Sequence, residues 1–472
     1  MFKNMLKSGT ILMTITLTIT LAACSSLSTV DYTPPETSIP TGWHGETAPD
    51  TAGVAMVASS DWWSNFNDPV LNSLIADALS RNNDLAAATI KVRRAQLTAG
   101  LAEDAFYPDL SAGSTASLER ELDGARSSSR NFGANATVSY ELDLWGKLGH
   151  DYDAAKWEAL ATLEDRESTA LSLTATTATL YWQIIYDRQR LDIANASIAY
   201  ARQTLALVDV QYESGSSSAL EVFEARQNLD SQLADYTLIE QSLRENTNAL
   251  SILFDQPPQE MAVARATLPE NALPEIAAGL PAQLLGRRPD IRAAELRLRE
   301  NVAELNAVKT GLLPTISLTG ELGSSSDQLR SLLQNPLGTL GASLALPFLN
   351  WNEGQLDIKI SESDYQQAIV EYRQTLYQAL ADVENALSAR TQYDRQSVNL
   401  EAALDAAQNA ERIYETRFRA GAVSMQSWLD AQETRRTAEE SLLANKRDRI
   451  INLITLYQAL GGNADARPTA EG

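Results

Sequence analysis

The 472-residue chain sets 38 Lys and Arg against 61 Asp and Glu, a formal net charge of −23, and holds two histidines and one cysteine. The absence of a clustered basic block argues against nucleic acid as a partner. The His and Cys inventory all but excludes a His/Cys metal centre or a Cys–His or Ser–His–Asp catalytic set, while chemistry by carboxylates alone stays open.

Lys3 and Lys7 precede an uncharged apolar-and-Thr stretch, Ile11 to Leu21, which runs into Leu21-Ala22-Ala23-Cys24. This layout predicts a secretory signal over 1–23, its apolar part too short for a spanning helix with ordinary flanks. LAAC resembles the bacterial lipobox, which implies cleavage before Cys24 and acylation of that cysteine. Ser25, where Asp would favour retention at the inner membrane, implies sorting to the outer membrane. The mature chain then begins with a lipidated segment, 24–67. A lipid tether holds a protein to one leaflet only, and no later stretch is apolar for long enough to predict a second spanning helix.

A helical pattern follows over about 68–105, with Asn82 and Asn83 as a helix start inside it. Pro108 stops the helix and begins a strand. Leu110, Ala112, Ala116 and Leu118 alternate with Ser111, Gly113, Thr115, Ser117 and Glu119, and Ser114 is the one polar residue on the apolar side. After a polar connection at 124–130, the run NFGANATVSYELDL at 131–144 places an apolar residue at every even position. Strict period two puts the two sets on opposite faces of a strand, so a hairpin is predicted over about 109–145. From about His150 to Tyr212 there is neither Pro nor Gly. Along this helix Leu191, Ala194, Ile198, Ala201, Leu205, Val208 and Tyr212 step by three and four, the seam of a left-handed coiled coil. Gly215 ends the helix in a left-handed cap, and another helix fills about 219–254.

The chain then repeats. Asp84-Leu85-Ala86-Ala87-Ala88 matches Asp290-Ile291-Arg292-Ala293-Ala294, Phe106-Tyr107-Pro108 matches Leu312-Leu313-Pro314, and Tyr212-Glu213-Ser214-Gly215 matches Phe418-Arg419-Ala420-Gly421, each pair 206 residues apart. Tyr186-Asp187-Arg188-Gln189 recurs letter for letter at Tyr393-Asp394-Arg395-Gln396, 207 residues on. A near-constant offset marks an internal repeat. The first repeat covers 68–261, a linker 262–280, the second repeat 281–461 and a tail 462–472. The second copy is predicted as a helix over 281–311 with Pro289-Asp290 near its head, a hairpin over about 314–349 and a long helix from about Gly354 to Phe418. The Gly421 cap and a helix over 425–460 complete it. In its strands Ile316, Leu318 and Leu322 oppose Thr315, Ser317, Thr319 and Glu321. Leu340, Ala342, Leu344, Leu346 and Phe348 oppose Thr339, Gly341, Ser343 and Ala345.

Four strands with one apolar and one polar face leave two open edges and an uncovered apolar surface. The long coiled-coil helices are ill suited to cover strands of this length. A transmembrane barrel resolves both problems, because lipid takes the apolar face, water takes the polar one, and closure removes the edges. Barrels begin at about eight strands, so several chains must combine; two would give eight strands and three would give twelve, and strand arithmetic does not choose. The polar face would line the lumen, with Glu119, Glu141, Asp143 and Glu321 making it acidic. Trp145 and Trp351, near the strand ends, are candidates for an interfacial aromatic belt, whereas Trp62 and Trp63 are expected to pack the N-terminal segment.

Several stretches together resemble the TolC-like outer-membrane efflux channels, in the lipoprotein branch that serves resistance–nodulation–division pumps. They are LAAC, DYTPPETSIPTGW, WWSNFNDPVLNSLIADALSRNNDLAAA at 62–88, YELDLWGK at 140–147 and LPAQLLGRRPDIRAAE at 280–295. GAVSMQSWLDAQETR from Gly421 fits the family's tip-turn pattern, and GSSSALEVFEARQNL from Gly215 departs from it at Arg226. The resemblance implies an α+β membrane protein, a homotrimer whose twelve strands form an outer-membrane β-barrel continued by a periplasmic α-helical coiled-coil barrel. It implies no cofactor, a periplasmic adaptor docked on the turns at Gly215, Ser218, Gly421 and Ser424, and an inner-membrane pump behind the adaptor.

On three assembled chains Asp209 and Glu213, with Glu411 and Glu415 in the second copy, would form an acidic ring near the tip. Each pair stands i,i+4 on one helix face, and contacts with Arg412, Arg417 or Arg419 could hold a gate. Exposed salt pairs of ordinary kind give the same pattern. A coiled-coil scaffold lipoprotein without channel activity, a type I secretion channel and a metal-ion efflux channel remain rival readings, and a carboxylate-dependent glycosidase is a more distant one.

Overall fold

The computed structural model describes residues 29–44, 61–121, 128–259, 267–269, 273–274, 281–334 and 336–462. The predicted signal, Cys24, most of the linker and almost all of the C-terminal tail lie outside these residues.

Helix α1 (Pro69–Arg81) begins where the Asp68 carboxylate accepts the Val70 and Leu71 N–H groups at 3.0 and 3.2 Å, with Pro69 at the first helical position. The helical stretch expected over 68–105 is two helices, divided at the Asn82–Asn83 start expected inside it. Asn82 takes an extended conformation and accepts the Asp84 and Leu85 N–H groups at 3.0 and 3.1 Å, starting α2 (Asn83–Asp104). Strands β1 (Asp109–Arg120) and β2 (Ser128–Leu142) follow, then α3 (Lys147–Glu213) and α4 (Ala219–Ile252). The second half runs through a single turn at Leu284–Arg287, then α5 (Pro289–Gly311), β3 (Thr315–Ser326), β4 (Leu337–Ala345), α6 (Trp351–Arg419) and α7 (Met425–Ala459). The repeat is kept in the element boundaries: β1 and β3 start and end 206 residues apart, as do the ends of α3 and α6 and the starts of α4 and α7. The strands form one antiparallel sheet of order β1-β2-β3-β4. Among the described residues no helix is long and apolar enough to cross a membrane.

The chain divides into two compact units. One is drawn from Met1–Thr37, Ile90–Leu163 and Ala293–Gln374, and the other from Ser38–Thr89, Glu164–Arg292 and Thr375–Gly472. The first holds the sheet. In it the extended N-terminal segment lies on α5, where Val30 N–H donates to Asn306 Oδ1 at 2.7 Å and Asn306 Nδ2 returns a bond to Val30 O at 2.9 Å. The Arg299 guanidinium stands 4.8 Å over the Tyr32 ring.

The second unit is a helical core. Trp62 is buried and stacks on Tyr457 at 4.8 Å, Phe66 meets Trp182 at 5.6 Å, and the Tyr181 hydroxyl donates to Asp68 Oδ2 at 2.7 Å. The Arg288 of the RRPD stretch is almost buried and binds Asp290 at 2.7 Å, Asp382 at 3.2 Å and the Ala459 carbonyl at 3.3 Å. That motif thus ties the head of α5 to α6 and the end of α7. The duplicated Tyr-Asp-Arg-Gln stretch fastens each hairpin by different chemistry. Buried Asp187 accepts from Gln183, Ser242 and Asn246 at 3.2, 3.2 and 2.7 Å, whereas Asp394 pairs with Arg449 at 2.8 Å.

Candidate functional site

Residues directly opposed across antiparallel strands share a face, so the register sorts the sheet into rows. Leu110–Val138–Gly320–Leu340, Ala112–Ala136–Leu322–Gly338, Tyr140–Leu318–Ala342 and Leu142–Ile316–Leu344 all lie on one side. The other side carries Ser111–Thr137–Glu321–Thr339, Asp109–Ser139–Thr319–Gly341 and Glu141–Ser317–Ser343. The apolar side is uncovered: Leu110 is 73% exposed, Leu322 68% and Leu340 92%. Strands β1 and β4 are the open edges, and every residue of both is exposed.

Of the four carboxylates expected along the lumen, three stand on the polar face, at three different levels. Glu119 lies opposite Ser129, Glu321 opposite Thr137 and Glu141 opposite Ser317. Glu141 also meets Lys147 at 3.7 Å, a half-exposed pair of little energetic weight. Asp143 departs from the expectation. The strand ends at Leu142, and the Asp143 carboxylate accepts the Leu148 and Gly149 N–H groups at 3.2 and 3.0 Å, capping the first turn of α3. The alternation read through Leu144 therefore overran the strand. In the same way Phe348 belongs to the 3-10 turn Pro347–Asn350, with Leu346 just before it. Trp145 and Trp351 sit at this strand–helix junction, both nearly half exposed, and the Trp145 indole N–H donates to Pro314 O at 2.9 Å.

At the other end of α3 and α6 the two expected glycine turns have matching geometry. Gly215 and Gly421 have φ of +74° and +71°. The Gly215 N–H donates to Tyr212 O at 2.9 Å and Ser216 N–H to Gln211 O at 2.8 Å; Gly421 and Ala422 bond Phe418 O and Arg417 O, both at 2.8 Å. This paired pattern closes a helix on a left-handed residue. A Cβ would meet nothing within 4 Å at either glycine, so substitution costs backbone strain alone. Gly421→Ala is expected to destabilise the tip by about 1–2 kcal/mol, read as a lower midpoint in thermal unfolding of the purified protein; an unchanged midpoint would show that the turn relaxes.

Ser218 and Ser424 occupy the N-caps of α4 and α7. The Ser218 N–H donates to Glu221 Oε2 at 2.7 Å, and the Ser424 hydroxyl oxygen accepts the Ser427 N–H at 3.3 Å. A hydrogen bond from the Ser217 hydroxyl, followed by that of the Ser218 backbone, holds the Glu221 carboxyl below its ordinary range.

The acidic residues near these turns have unlike surroundings. Asp209 is half buried and Glu213 and Arg417 are exposed. Glu415 pairs with Arg419 at 2.9 Å on its own helix. Glu411 is buried, and its partner is none of the arginines expected from α6. It meets Arg435 of α7 at 2.6 Å, and Arg435 also binds Glu439 at 2.7 Å. Burial outweighs this pairing and pushes the Glu411 carboxyl up from its usual range. Tyr200 on α3 is pushed up to about 12 by burial, then by Glu415 and Glu411.

Beside these acids the helices of both hairpins share a core of Val208, Ala225, Phe418, Met425, Trp428 and Leu429. Trp428 stacks on Phe418 at 5.0 Å and meets Tyr200 edge-on at 6.2 Å. Arg436 reaches Asp235 of α4 at 3.6 Å while binding Glu433 and Glu440 at 2.6 and 2.7 Å. Arg435, Arg436 and Trp428 were not singled out from the sequence. The signal was there as two adjacent arginines with glutamates three and four residues away on a helix. Among the described residues no group of three His, Cys, Asp or Glu is placed to hold a metal ion.

A family model described as outer membrane efflux protein matches residues 74–254 and 280–462, one segment for each repeat. The pyoverdine export outer membrane protein OpmQ of Pseudomonas putida is 32% identical over 462 residues, 95% of this chain and 97% of that protein. The cation efflux system protein CusC of Escherichia coli is 30% identical over 409 residues, 86% of this chain and 89% of that protein. The fold is similar to the open state of the MtrE outer membrane channel of Neisseria gonorrhoeae, with a TM-score of 0.81 at 27% identity, covering 93% of this chain and 99% of that one.

Proposed function

The chain belongs to the outer membrane efflux protein family, and from that premise we propose that three copies close into one conduit, the exit duct of a tripartite pump. It is an outer-membrane efflux channel reaching into the periplasm, and it is not an enzyme. Each copy contributes four strands to a twelve-stranded barrel, whose lumen is the Ser-, Thr- and Gly-rich face carrying Glu119, Glu141 and Glu321. Acylation of Cys24 adds a tether in the inner leaflet of that membrane. The turns at Gly215, Ser218, Gly421 and Ser424 receive the hairpins of a periplasmic adaptor, which joins the duct to an inner-membrane pump of the resistance–nodulation–division class. Energy enters at the pump, and the duct conducts passively. Its periplasmic end opens when the α6–α7 hairpin moves against α3 and α4, with Asp209, Glu213, Glu411, Glu415 and Arg417 among the charges at that aperture.

The observation that carries this reading is the sheet: two unpaired edges and a contiguous, uncovered apolar face. Such a surface is stable in lipid and only as part of a closed cylinder. The relatives are named for pyoverdine export and for cation efflux, so one duct architecture serves unlike cargo, and selection rests with the pump.

The protein extracted from outer membranes is expected to have the mass of three copies in light scattering and to conduct ions in a planar bilayer. A monomer that stays in aqueous buffer after removal of its acyl chains, without conductance, would replace this reading by a scaffold. Cys24→Ala is expected to lose labelling by radioactive palmitate while the oligomer persists.

A further inference from the structure

The lipid-facing side of the sheet does not stay apolar to its outer end. Register places Arg130 opposite Leu118 and Arg120 opposite Ser128, on the side that carries Leu110, Phe132 and Val138. Both arginines are exposed, and their neighbours on that face, Leu118, Ser128 and Phe132, include no acid. They lie one and two rows beyond the Ala116–Phe132–Ser326 row, at the end of the strands away from the helices. From the Leu142 row to the Phe132 row β2 advances ten residues, roughly 34 Å along the strand and about 26 Å along the membrane normal at a tilt of about 40°. The apolar band of an outer-membrane barrel is about 25 Å tall. Arg130 therefore stands where hydrocarbon gives way to headgroups, and Arg120 one row further out.

The β3–β4 turn falls on the same side. Ser324, opposite Ala134 on the apolar face, donates its hydroxyl to the Leu332 carbonyl. That bond brings the Leu332 carbonyl beside Ser324 on the outward face. In the same turn Leu329 and Leu333 are 66% and 80% exposed, flanking Arg330, whose Nε donates to Gln328 Oε1 at 2.9 Å. Exposed leucines beside a cation suit a segment lying in a bilayer interface, apolar side inward and charge outward.

We propose that Arg120, Arg130 and Arg330 form a phosphate-binding rim, footed by Leu329 and Leu333, for a phosphorylated glycolipid of the outer leaflet. A guanidinium fork fits phosphate bidentately, and a lipid presents its phosphate at the fixed height these side chains occupy. Two arginines in adjacent rows of one face and a third in the β3–β4 turn, on a chain of net charge −23, point to an anionic partner. The inference rests on the reading that this face meets lipid.

The test uses the purified full-length channel in detergent with three probes: bisphosphorylated lipid A, the same lipid stripped of both phosphates, and inorganic phosphate. Native mass spectrometry is expected to show the wild type binding the bisphosphorylated lipid at least tenfold more tightly than the stripped lipid. Arg120→Ala/Arg130→Ala/Arg330→Ala is expected to lose that preference, and Leu329→Ser/Leu333→Ser to weaken both lipids alike. Equal binding of the two lipids by the wild type, an unchanged preference in the triple variant, or displacement of the lipid by an equal concentration of inorganic phosphate would each overturn the proposal. If the alanine triple does not assemble, Arg120→Gln/Arg130→Gln/Arg330→Gln decides by the same criteria. Oligomer mass and conductance, measured alongside, separate failure of the rim from failure of the channel reading.

Discussion

Leu340→Arg is expected to remove the protein from the outer membrane, and Thr339→Arg, one residue earlier, to leave it there. Leu340 is 92% exposed and shares a row with Leu110, Val138 and Gly320 near the middle of the apolar band. An arginine at the midplane of a barrel's lipid face costs about 2–4 kcal/mol, and every copy in the assembly would bear that cost. Thr339 is opposite Glu321 on the polar side, where a guanidinium meets water and a carboxylate. The readout is the heat-sensitive oligomer in outer-membrane fractions, expected to be lost in the first variant and kept in the second with altered ion selectivity. The opposite outcome, Leu340→Arg inserted and Thr339→Arg excluded, would turn the sheet inside out and remove the basis for the lumen and rim together.

Arg435→Leu is expected to loosen the periplasmic tip. The Glu411 side chain is 11% exposed and that of Arg435 23%, so deletion of the cation strands a buried carboxylate at a cost of about 3 kcal/mol. Burial already holds the Glu411 carboxyl above its unfolded value, and loss of Arg435 raises it further. A carboxyl raised in the folded state favours folding at pH below its unfolded value and loses that contribution as pH rises through the folded one. The variant should therefore conduct most like the wild type in acidic buffer and leak most at neutral pH, as measured by bilayer conductance in the two buffers. Glu411→Gln added to Arg435→Leu removes the stranded charge and is expected to restore tight closure at neutral pH, the coupling that a double-mutant cycle isolates. A leak independent of pH, or one that the second substitution does not relieve, would assign the effect to lost packing instead.

The parts of this molecule legible from residues alone are those written in local periodicity. Alternation at 110–118 and 132–142, the Asn82 helix start and the glycines at 215 and 421 each fix a conformation within a few residues. The limits of that reading are equally physical. Alternation continues in letters through Leu144, but the chain turns at Gly146, whose φ is +76°, and Asp143 is spent on backbone N–H groups. Arg130 fell in a segment read as a polar loop, yet pairing with β1 carries β2 back to Ser128. The sequence offers Arg412, Arg417 and Arg419 of its own helix as partners for the acids near the tip, whereas the arginine that meets Glu411 is Arg435, across the Gly421 turn on α7. The RRPD stretch was legible as a signature; that Arg288 clamps three elements depends on where α6 and α7 pass, which spacing along the chain does not encode.

Within one copy the ladders between neighbouring strands have twelve, eleven and nine pairs, from β1–β2 to β3–β4. Since β4 spans only Leu337–Ala345, its free border can lace to another chain over nine rungs at most. The junction between subunits is thus never longer than the shortest junction inside one, and it lacks a connecting loop to hold its ends together. In the proposed barrel that seam is expected to zip shut last during biogenesis and, on heating, to part first, releasing intact four-stranded staves before any hairpin unravels.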